Sequence, residues 1–351
     1  MILTIVAFVL TITFLILIHE WGHFFVARRF RVWVHQFAIG FGPALLRKKF
    51  GETEYSLRVF PIGGFVRLAG DDPDNEEDKA VPPERLFTAR KPLARMAIIS
   101  AGSVMNILGA VVLMILALGL FGVPYLEIAD FTEDSAAKEQ LVVGDKIVKV
   151  DGKNIYTAAQ LNSLIQRKAA GSKHPQPVTV EVKRGEEFLT FSITPRWSAQ
   201  NGRYLIGVTL KPSSETRRPG PITAVTLGVT RAWEIVVLLY QTVKGMITGR
   251  IPAGEAFTGP VGIASFLGHS LNQGLMSFFM LVAILSLNLG IINLLPFPAL
   301  DGSRLLFLTY ELIRRKPFPP QKEGWVHYIG FILLIGLMIL ITYKDILRLL
   351  R

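Results

Sequence analysis

The stretch His19-Glu20-Trp21-Gly22-His23 lies inside the first apolar run of the chain, Met1 to Val26. Histidines four residues apart share one face of a helix, so both imidazoles can bind a single Zn²⁺ ion. Glu20 stands beside them and can accept a proton from water bound to that ion. The run exceeds the roughly 20 residues that cross a bilayer. The stretch therefore predicts a metal site inside a transmembrane helix.

Inserting an ionisable side chain near the bilayer centre costs about 2.5–3.5 kcal/mol of free energy. Three such groups in one membrane span therefore require an interaction that offsets this cost. The alternative is a pair of packing histidines with a glutamate that reaches the interface. A bound metal supplies the compensation directly, and we favour that interpretation. The run also lacks the basic start and the small-residue cleavage site of a signal peptide.

The composition of the chain is typical of a membrane protein. Half of its 351 residues are hydrophobic and only 19% are charged, whereas a soluble domain has about a quarter charged residues. The net charge of +11 comes largely from Lys and Arg at the flanks of apolar runs, as in Ala27–Arg31 and Leu46–Lys49. This placement indicates anchoring at a lipid bilayer and argues against a nucleic-acid partner. Without cysteine, any metal must be held by His, Asp or Glu.

Three further apolar runs, Met96–Val123, Leu275–Leu300 and Trp325–Ile341, are long enough to span the membrane. The sequence thus predicts four transmembrane helices. A fifth run, Ile222–Ile247, carries charged and amide side chains on one helical face, which predicts an amphipathic helix at the interface. The alternative is a fifth span, which would reverse the side on which all later residues lie.

The composition divides the chain into four segments. Residues 1–124 hold the first two spans with a predicted β-hairpin between them. Residues 125–212 have the alternating strands of a small soluble α+β domain, residues 213–274 form a linker with the interfacial helix, and residues 275–351 hold the last two spans. The loops after the first and third spans are rich in Lys and Arg, which places them in the cytoplasm and the soluble domain outside it.

The β-hairpin is predicted from two short runs with strand-like composition. Glu54–Phe60 and Phe65–Leu68 flank Pro61-Ile62-Gly63-Gly64, and the proline with the double glycine predicts the turn. Such a hairpin can hold an extended peptide by strand addition. Equally, it can serve only to pack against the helices.

A catalytic zinc usually has three protein ligands, and Asp301 is the clear candidate for the third. It closes the stretch Asn293-Leu294-Leu295-Pro296-Phe297-Pro298-Ala299-Leu300-Asp301-Gly302. The two prolines break the helix here, and irregular backbone at membrane depth is tolerated only where it lines a cavity or is buried in protein. Taken alone, Asp301 would be a helix N-cap or a turn aspartate.

Together these stretches resemble the site-2 protease family of intramembrane zinc metalloproteases, in its bacterial form with one PDZ domain. The HExxH motif and the Asn-x-x-Pro-x-Pro-x-Leu-Asp-Gly motif carry the resemblance, which covers nearly the whole chain. Weaker matches are Gly40–Leu45, Pro61–Val66, Ala101-Gly102 with Asn106, Val143–Ile147 and Gly259–Ile263.

The resemblance implies one Zn²⁺ per chain with His19, His23 and Asp301 as ligands and Glu20 as general base. It also implies substrate-binding roles for four residues, Asn106, Asn293, Gly63 and Gly64. Asparagines in spans are also ordinary hydrogen-bond partners between helices, so that alternative stays open for both of them.

The expected fold is a polytopic α-helical membrane protein with four transmembrane helices, a membrane-associated β-hairpin and an inserted PDZ-like α+β domain. The resemblance implies an endopeptidase of the bacterial cytoplasmic membrane with the PDZ-like domain outside the cytoplasm. Its substrates would be single-pass membrane proteins already cut by another protease, such as anti-sigma factors, or signal-peptide remnants. Two other classes stay open, a membrane hydrolase with a non-peptide substrate and a zinc-free, PDZ-bearing scaffold.

Overall fold

The computed structural model describes residues 2–72, 75–169, 175–252 and 258–349. These residues form eight α-helices: α1 Ile2–Arg29, α2 Pro92–Phe121, α3 Ala158–Ala169, α4 Pro221–Ile247, α5 Pro260–Gln273, α6 Leu275–Asn293, α7 Asp301–Arg314 and α8 Pro320–Leu349. They also form ten strands: β1 Val34–Phe50, β2 Thr53–Leu68, β3 Val123–Phe131, β4 Lys146–Val150, β5 Lys153–Asn154, β6 Val178–Arg184, β7 Glu187–Ile193, β8 Arg196–Ser198, β9 Arg203–Leu205 and β10 Val208–Arg217. The chain divides into two compact units, Met1–Ala117 with Val225–Arg351 and Leu118–Ala224.

Five of the described helices, α1, α2, α4, α6 and α8, are long and apolar enough to cross a membrane. Four of them coincide with the four predicted spans. The fifth is α4, the helix predicted to lie at the interface, in which Arg231 and Glu234 form an ion pair of 3.3 Å. Five such helices fit a multi-pass membrane protein, and the count of four spans stays a prediction.

Helix α1 ends where its sequence turns basic. Arg28 and Arg29 occupy the last turn, where positive charge interacts favourably with the helix dipole. Arg31 then adopts the left-handed conformation with a φ of 57°, which ends the helical path. The chain passes directly from this turn into β1.

The third predicted span is shorter than its apolar run. Helix α6 ends at Asn293, and the chain is non-helical from Leu294 to Leu300 before α7 begins at Asp301. The break predicted from Pro296 and Pro298 is confirmed, but the predicted end at Leu300 is wrong by seven residues. A proline disfavours helical backbone at the residue before it, so the helix cannot continue to Pro296.

The predicted hairpin has the wrong strand partners. The tight turn of the sheet is at Gly51 and Glu52, between β1 and β2, and Pro61–Gly64 lies within β2. Ala38 of β1 has Ser56 as one partner and Phe65 as the other. The first half of β1 therefore lies between the two halves of β2, which do not pair with each other as predicted.

The glycines of β2 accommodate this inserted strand. Gly63 has a φ of 110°, which side-chain-bearing residues rarely adopt, and a Cβ atom there would lie 2.2 Å from the Phe41 ring. A Cβ on Gly64 would lie 2.8 Å from the carbonyl oxygen of Ala38. The double glycine thus permits a bend in β2 and a close approach of β1 rather than the predicted hairpin turn.

The second unit is an α+β domain. Its main sheet has the order β10-β3-β4-β6-β7, with β5 paired to β4. Side chains from the sheet and from α3 form one core that includes Ile128, Ile147, Leu161, Ile165 and Val180. Burial of each such side chain contributes about 1.5–3 kcal/mol, so the unit has a core of its own.

Local signals in this unit agree with the sequence prediction. The expected turn after β4 is present at Asp151 and Gly152, both with positive φ. Thr157 caps α3, because its Oγ1 accepts a hydrogen bond from the backbone N–H of Gln160 at 3.1 Å. The Gln160 side chain accepts in turn from the Tyr156 N–H at 2.8 Å. The predicted N-cap and turn are therefore confirmed.

Candidate metal centre

Three side chains predicted as ligands lie together in the first unit. His19 Nε2 is 3.2 Å from Asp301 Oδ2, and His23 Nε2 is 3.5 Å from the same oxygen. The two Nε2 atoms are 3.2 Å apart. The three atoms form a nearly equilateral triangle, although Asp301 lies 278 positions after His23 in the sequence.

The triangle has the size that a zinc ion requires. Zn–N and Zn–O bonds of about 2.0–2.2 Å at tetrahedral angles place neighbouring ligand atoms about 3.3 Å apart. The measured separations lie between 3.2 and 3.5 Å. Asp301 Oδ2 is also buried and has no hydrogen-bond partner among the described residues. A carboxylate oxygen and two imidazole nitrogens that converge in this way fit a cation.

The ring of His23 is held by the backbone of α2. Its Nδ1 lies 2.9 Å from the carbonyl oxygen of Ile98. Because a carbonyl can only accept, Nδ1 carries the proton and Nε2 keeps its lone pair for a metal. The hydrogen bond thus fixes the tautomer that ligation needs.

Glycines allow α1 and α2 to approach at the site. A Cβ on Gly22 would lie 2.4 Å from the carbonyl oxygen of Ala101. A Cβ on Gly102 would lie 2.4 Å from His23 Nε2 and 2.8 Å from His19 Cε1. Both distances are too short for real atoms, so the site requires glycine at each of these positions.

The loop between α6 and α7 brings Asp301 to the histidines. Gly302 permits the tight fold, because a Cβ there would lie 2.1 Å from the carbonyl oxygen of Leu295. The backbone N–H of Ala299 donates a hydrogen bond to His327 Nδ1 at 3.2 Å. No sequence pattern predicts this role of His327, because it depends on a contact between α8 and the loop before α7.

Glu20 is half-buried beside the triangle and faces the sheet. A Cβ on Gly64 would lie 3.7 Å from Glu20 Cγ, which is an ordinary contact distance. The backbone of Val66 also lies close to the Glu20 carboxylate. Thr13, two turns earlier in α1, donates a hydrogen bond to the carbonyl oxygen of Pro61. The second half of β2 therefore runs along α1 and passes the predicted general base.

The two predicted substrate asparagines lie at different edges of the His19 ring. The amide of Asn293 is 3.5 Å from Nε2, the nitrogen that belongs to the triangle. The amide of Asn106 is 3.3 Å from Nδ1, on the side away from the triangle. Asn293 is half-buried, whereas Asn106 is completely buried. Of the predicted glycines, Gly64 lies near Glu20 and Gly63 packs against Phe41.

A sequence model of peptidase family M50 matches residues 7–337 of the chain. The regulator of sigma-W protease RasP from Bacillus subtilis is 30% identical to it over 426 aligned residues, which cover 99% of each protein. The zinc metalloprotease RasP from Geobacillus kaustophilus is 31% identical and covers 98% of this chain and 97% of its own. The similarity therefore extends over both units.

Among solved structures, the PDZ domain of the SdrC-like protein from Listeria monocytogenes aligns with 25% of this chain and 87% of that domain. The aligned residues are 23% identical, and the TM-score is 0.22.

Proposed function

The chain belongs to peptidase family M50, the site-2 protease family, and from that premise we propose that it cleaves peptide bonds within the membrane. It is a zinc metalloendopeptidase. We assign the zinc, one ion per chain, to His19, His23 and Asp301. The observation that carries the assignment is the triangle of lone-pair atoms with sides of 3.2 to 3.5 Å.

Zinc bound at this position supplies Lewis-acid chemistry, which polarises a carbonyl and lowers the pKa of coordinated water to about 7. Glu20 is the general base, because it adjoins the triangle without being part of it. Its carboxylate accepts a proton from the attacking water and then donates that proton to the leaving amine.

Asn293 is the better placed of the two asparagines for contact with substrate. Its amide lies 3.5 Å from His19 Nε2, the nitrogen that belongs to the triangle, and the residue is half-buried. An amide N–H in this position can donate to the carbonyl oxygen of the scissile bond as negative charge develops there.

A helical substrate must unwind before hydrolysis, because its carbonyl groups are occupied by its own hydrogen bonds. The second half of β2 offers an extended backbone next to Glu20, since Gly64 and Val66 both approach that residue. Strand addition along Gly64–Leu68 would hold the peptide extended beside the metal. We therefore assign Gly64 to substrate binding, with Gly63 providing the bend before it.

The proposed substrates are transmembrane segments of single-pass proteins that another protease has already cut. The Bacillus subtilis relative is named a regulator of sigma-W protease, which supports membrane-bound anti-sigma factors as one substrate class and leaves signal-peptide remnants as another. We place the enzyme in the bacterial cytoplasmic membrane. The second unit is proposed to be a PDZ-like domain outside the cytoplasm that excludes bulky substrates.

Cleavage of a single-pass model substrate tests this function. The substrate, shortened on its extracytoplasmic side, is reconstituted in liposomes with wild-type enzyme, with Glu20→Gln or with Glu187→Gln. Glu187 is exposed on the second unit. Its substitution controls for the loss of a carboxylate away from the metal centre. We expect cleavage by the wild type and by Glu187→Gln, whereas Glu20→Gln should retain zinc without cleaving. Cleavage by Glu20→Gln at the wild-type rate would refute the role of Glu20.

A further inference from the structure

Asn106 lies behind the proposed ligand His19, away from the position of the metal. It is completely buried in α2, and its amide is 3.3 Å from His19 Nδ1. The other ring nitrogen, Nε2, points toward Asp301 Oδ2. A residue at the back edge of this ring can act on the ring itself, but it has no open face toward a peptide.

Zinc ligation by His19 determines whether the oxygen or the nitrogen of the Asn106 amide faces His19 Nδ1. His19 must offer the lone pair of Nε2, so a neutral imidazole carries its proton on Nδ1. An Nδ1–H group requires an acceptor, and the amide of Asn106 can supply one only through its oxygen. The oxygen and nitrogen of an amide exchange places by a simple flip. The structure places the Asn106 nitrogen at His19 Nδ1 and leaves the Asn106 oxygen without a hydrogen-bond partner in the described residues, so ligation of zinc by Nε2 requires the flipped amide.

Small residues on α2 and α6 hold the side chain in this position. Gly102, one helical turn before Asn106, leaves space for the rings of His19 and His23. The Ser286 hydroxyl donates to the backbone oxygen of Asn106 at 2.8 Å. A Cβ on Gly290 would lie 2.7 Å from the carbonyl oxygen of Ser103. Close packing of α6 against α2 thus leaves the Asn106 amide little freedom to move away from His19.

We propose that Asn106 is a positioning residue that accepts a hydrogen bond from His19 Nδ1–H and thereby holds His19 in the ligating tautomer. This inference rests on the proposed zinc site and replaces the substrate contact that the resemblance implied for Asn106. Partners of this kind behind a ligating histidine typically change metal affinity by about 10–100-fold when they are lost. Asn293, which adjoins Nε2, should behave differently.

The test compares zinc affinity in four variants of the full-length enzyme, measured in detergent by competition with a chelator. Asn106→Ala should weaken zinc binding by about 10–100-fold. Asn106→Asp keeps an acceptor of the same shape and should restore wild-type affinity or exceed it. Ser286→Ala removes the hydrogen bond to the Asn106 backbone but keeps the acceptor, so it should weaken zinc binding much less than Asn106→Ala does. Asn293→Ala should keep its zinc and lower the rate of cleavage.

Three results would overturn the proposal. The first is wild-type zinc affinity in Asn106→Ala together with a raised KM, which would assign Asn106 to the substrate. The second is loss of zinc in Asn106→Asp equal to that in Asn106→Ala, which would show that packing rather than the acceptor matters. The third is equal loss in Ser286→Ala. A wild-type enzyme that bound no zinc would instead refute the proposed function, so the two failures are distinguishable.

Discussion

Replacement of Gly102 by alanine tests whether the α1–α2 contact sets the geometry of the ligands. The new Cβ would lie 2.4 Å from His23 Nε2 and 2.8 Å from His19 Cε1, whereas an ordinary contact begins at about 3.4 Å. The His23 ring must therefore move by about 1 Å, the difference between 3.4 and 2.4 Å. Metal sites tolerate deviations of only about 0.2 Å in their ligand distances.

We expect Gly102→Ala to weaken zinc binding at least about tenfold, and the 1 Å displacement to slow cleavage about 100-fold. Chelator competition measures the affinity, and cleavage of the model substrate measures the rate. Gly109→Ala is the matched control, because its Cβ would lie 3.6 Å from Ile18, an ordinary contact distance. Both substitutions stabilise α2 by about 1 kcal/mol, because alanine favours the helix more than glycine does. This effect is therefore the same in the variant and in its control. Wild-type zinc affinity in Gly102→Ala would refute the geometry described for the site.

Three further predictions concern the third ligand, the second unit and its sheet. Asp301→Asn should lose zinc as well as activity, because an amide oxygen is a neutral and weaker ligand; unchanged zinc content would remove Asp301 from the ligand set. The two ends of Val123–Arg217 pair with each other, so deletion of this segment should leave a zinc-loaded enzyme that cleaves untrimmed substrates. A zinc-loaded deletion variant that does not cleave them would contradict the proposal that the second unit excludes bulky substrates. Residues 118–224 expressed alone should fold and lose stability in acid, as measured by urea unfolding at several pH values. Hydrogen bonds from Lys146 and Lys183 lower the pKa of Glu215, so its contribution exists above the unfolded-state pKa and disappears as pH falls through the folded-state pKa; Glu215→Gln should flatten that part of the profile.

The proposed ligands were predictable because each carries a local signal. His19 and His23 have helical spacing within an apolar run, and Asp301 follows a pair of prolines that end a span. Transfer costs in the membrane then favour bringing these groups together. His327 has no such signal, since its hydrogen bond to Ala299 joins α8 to the loop before α7.

The sheet and the asparagines mark the limit of prediction from sequence. Pro61–Gly64 is a strong local turn signal, but no local pattern reveals that β1 inserts between the halves of β2. Likewise, Asn106 and Asn293 are both polar residues in apolar helices. Their different positions around His19 depend on how α2 and α6 pack against α1, which composition and spacing do not encode.

The central claim is that two histidines and one carboxylate of this chain hold the zinc. X-ray absorption at the zinc K-edge of the purified enzyme tests it most directly, since the chain has no cysteine to contribute sulfur. We predict close to one zinc per chain, with two imidazole ligands and oxygen as the remaining ligand atoms, all at about 2.0–2.2 Å from the ion. A zinc environment with fewer than two imidazoles, or a purified active enzyme without stoichiometric zinc, would contradict the account.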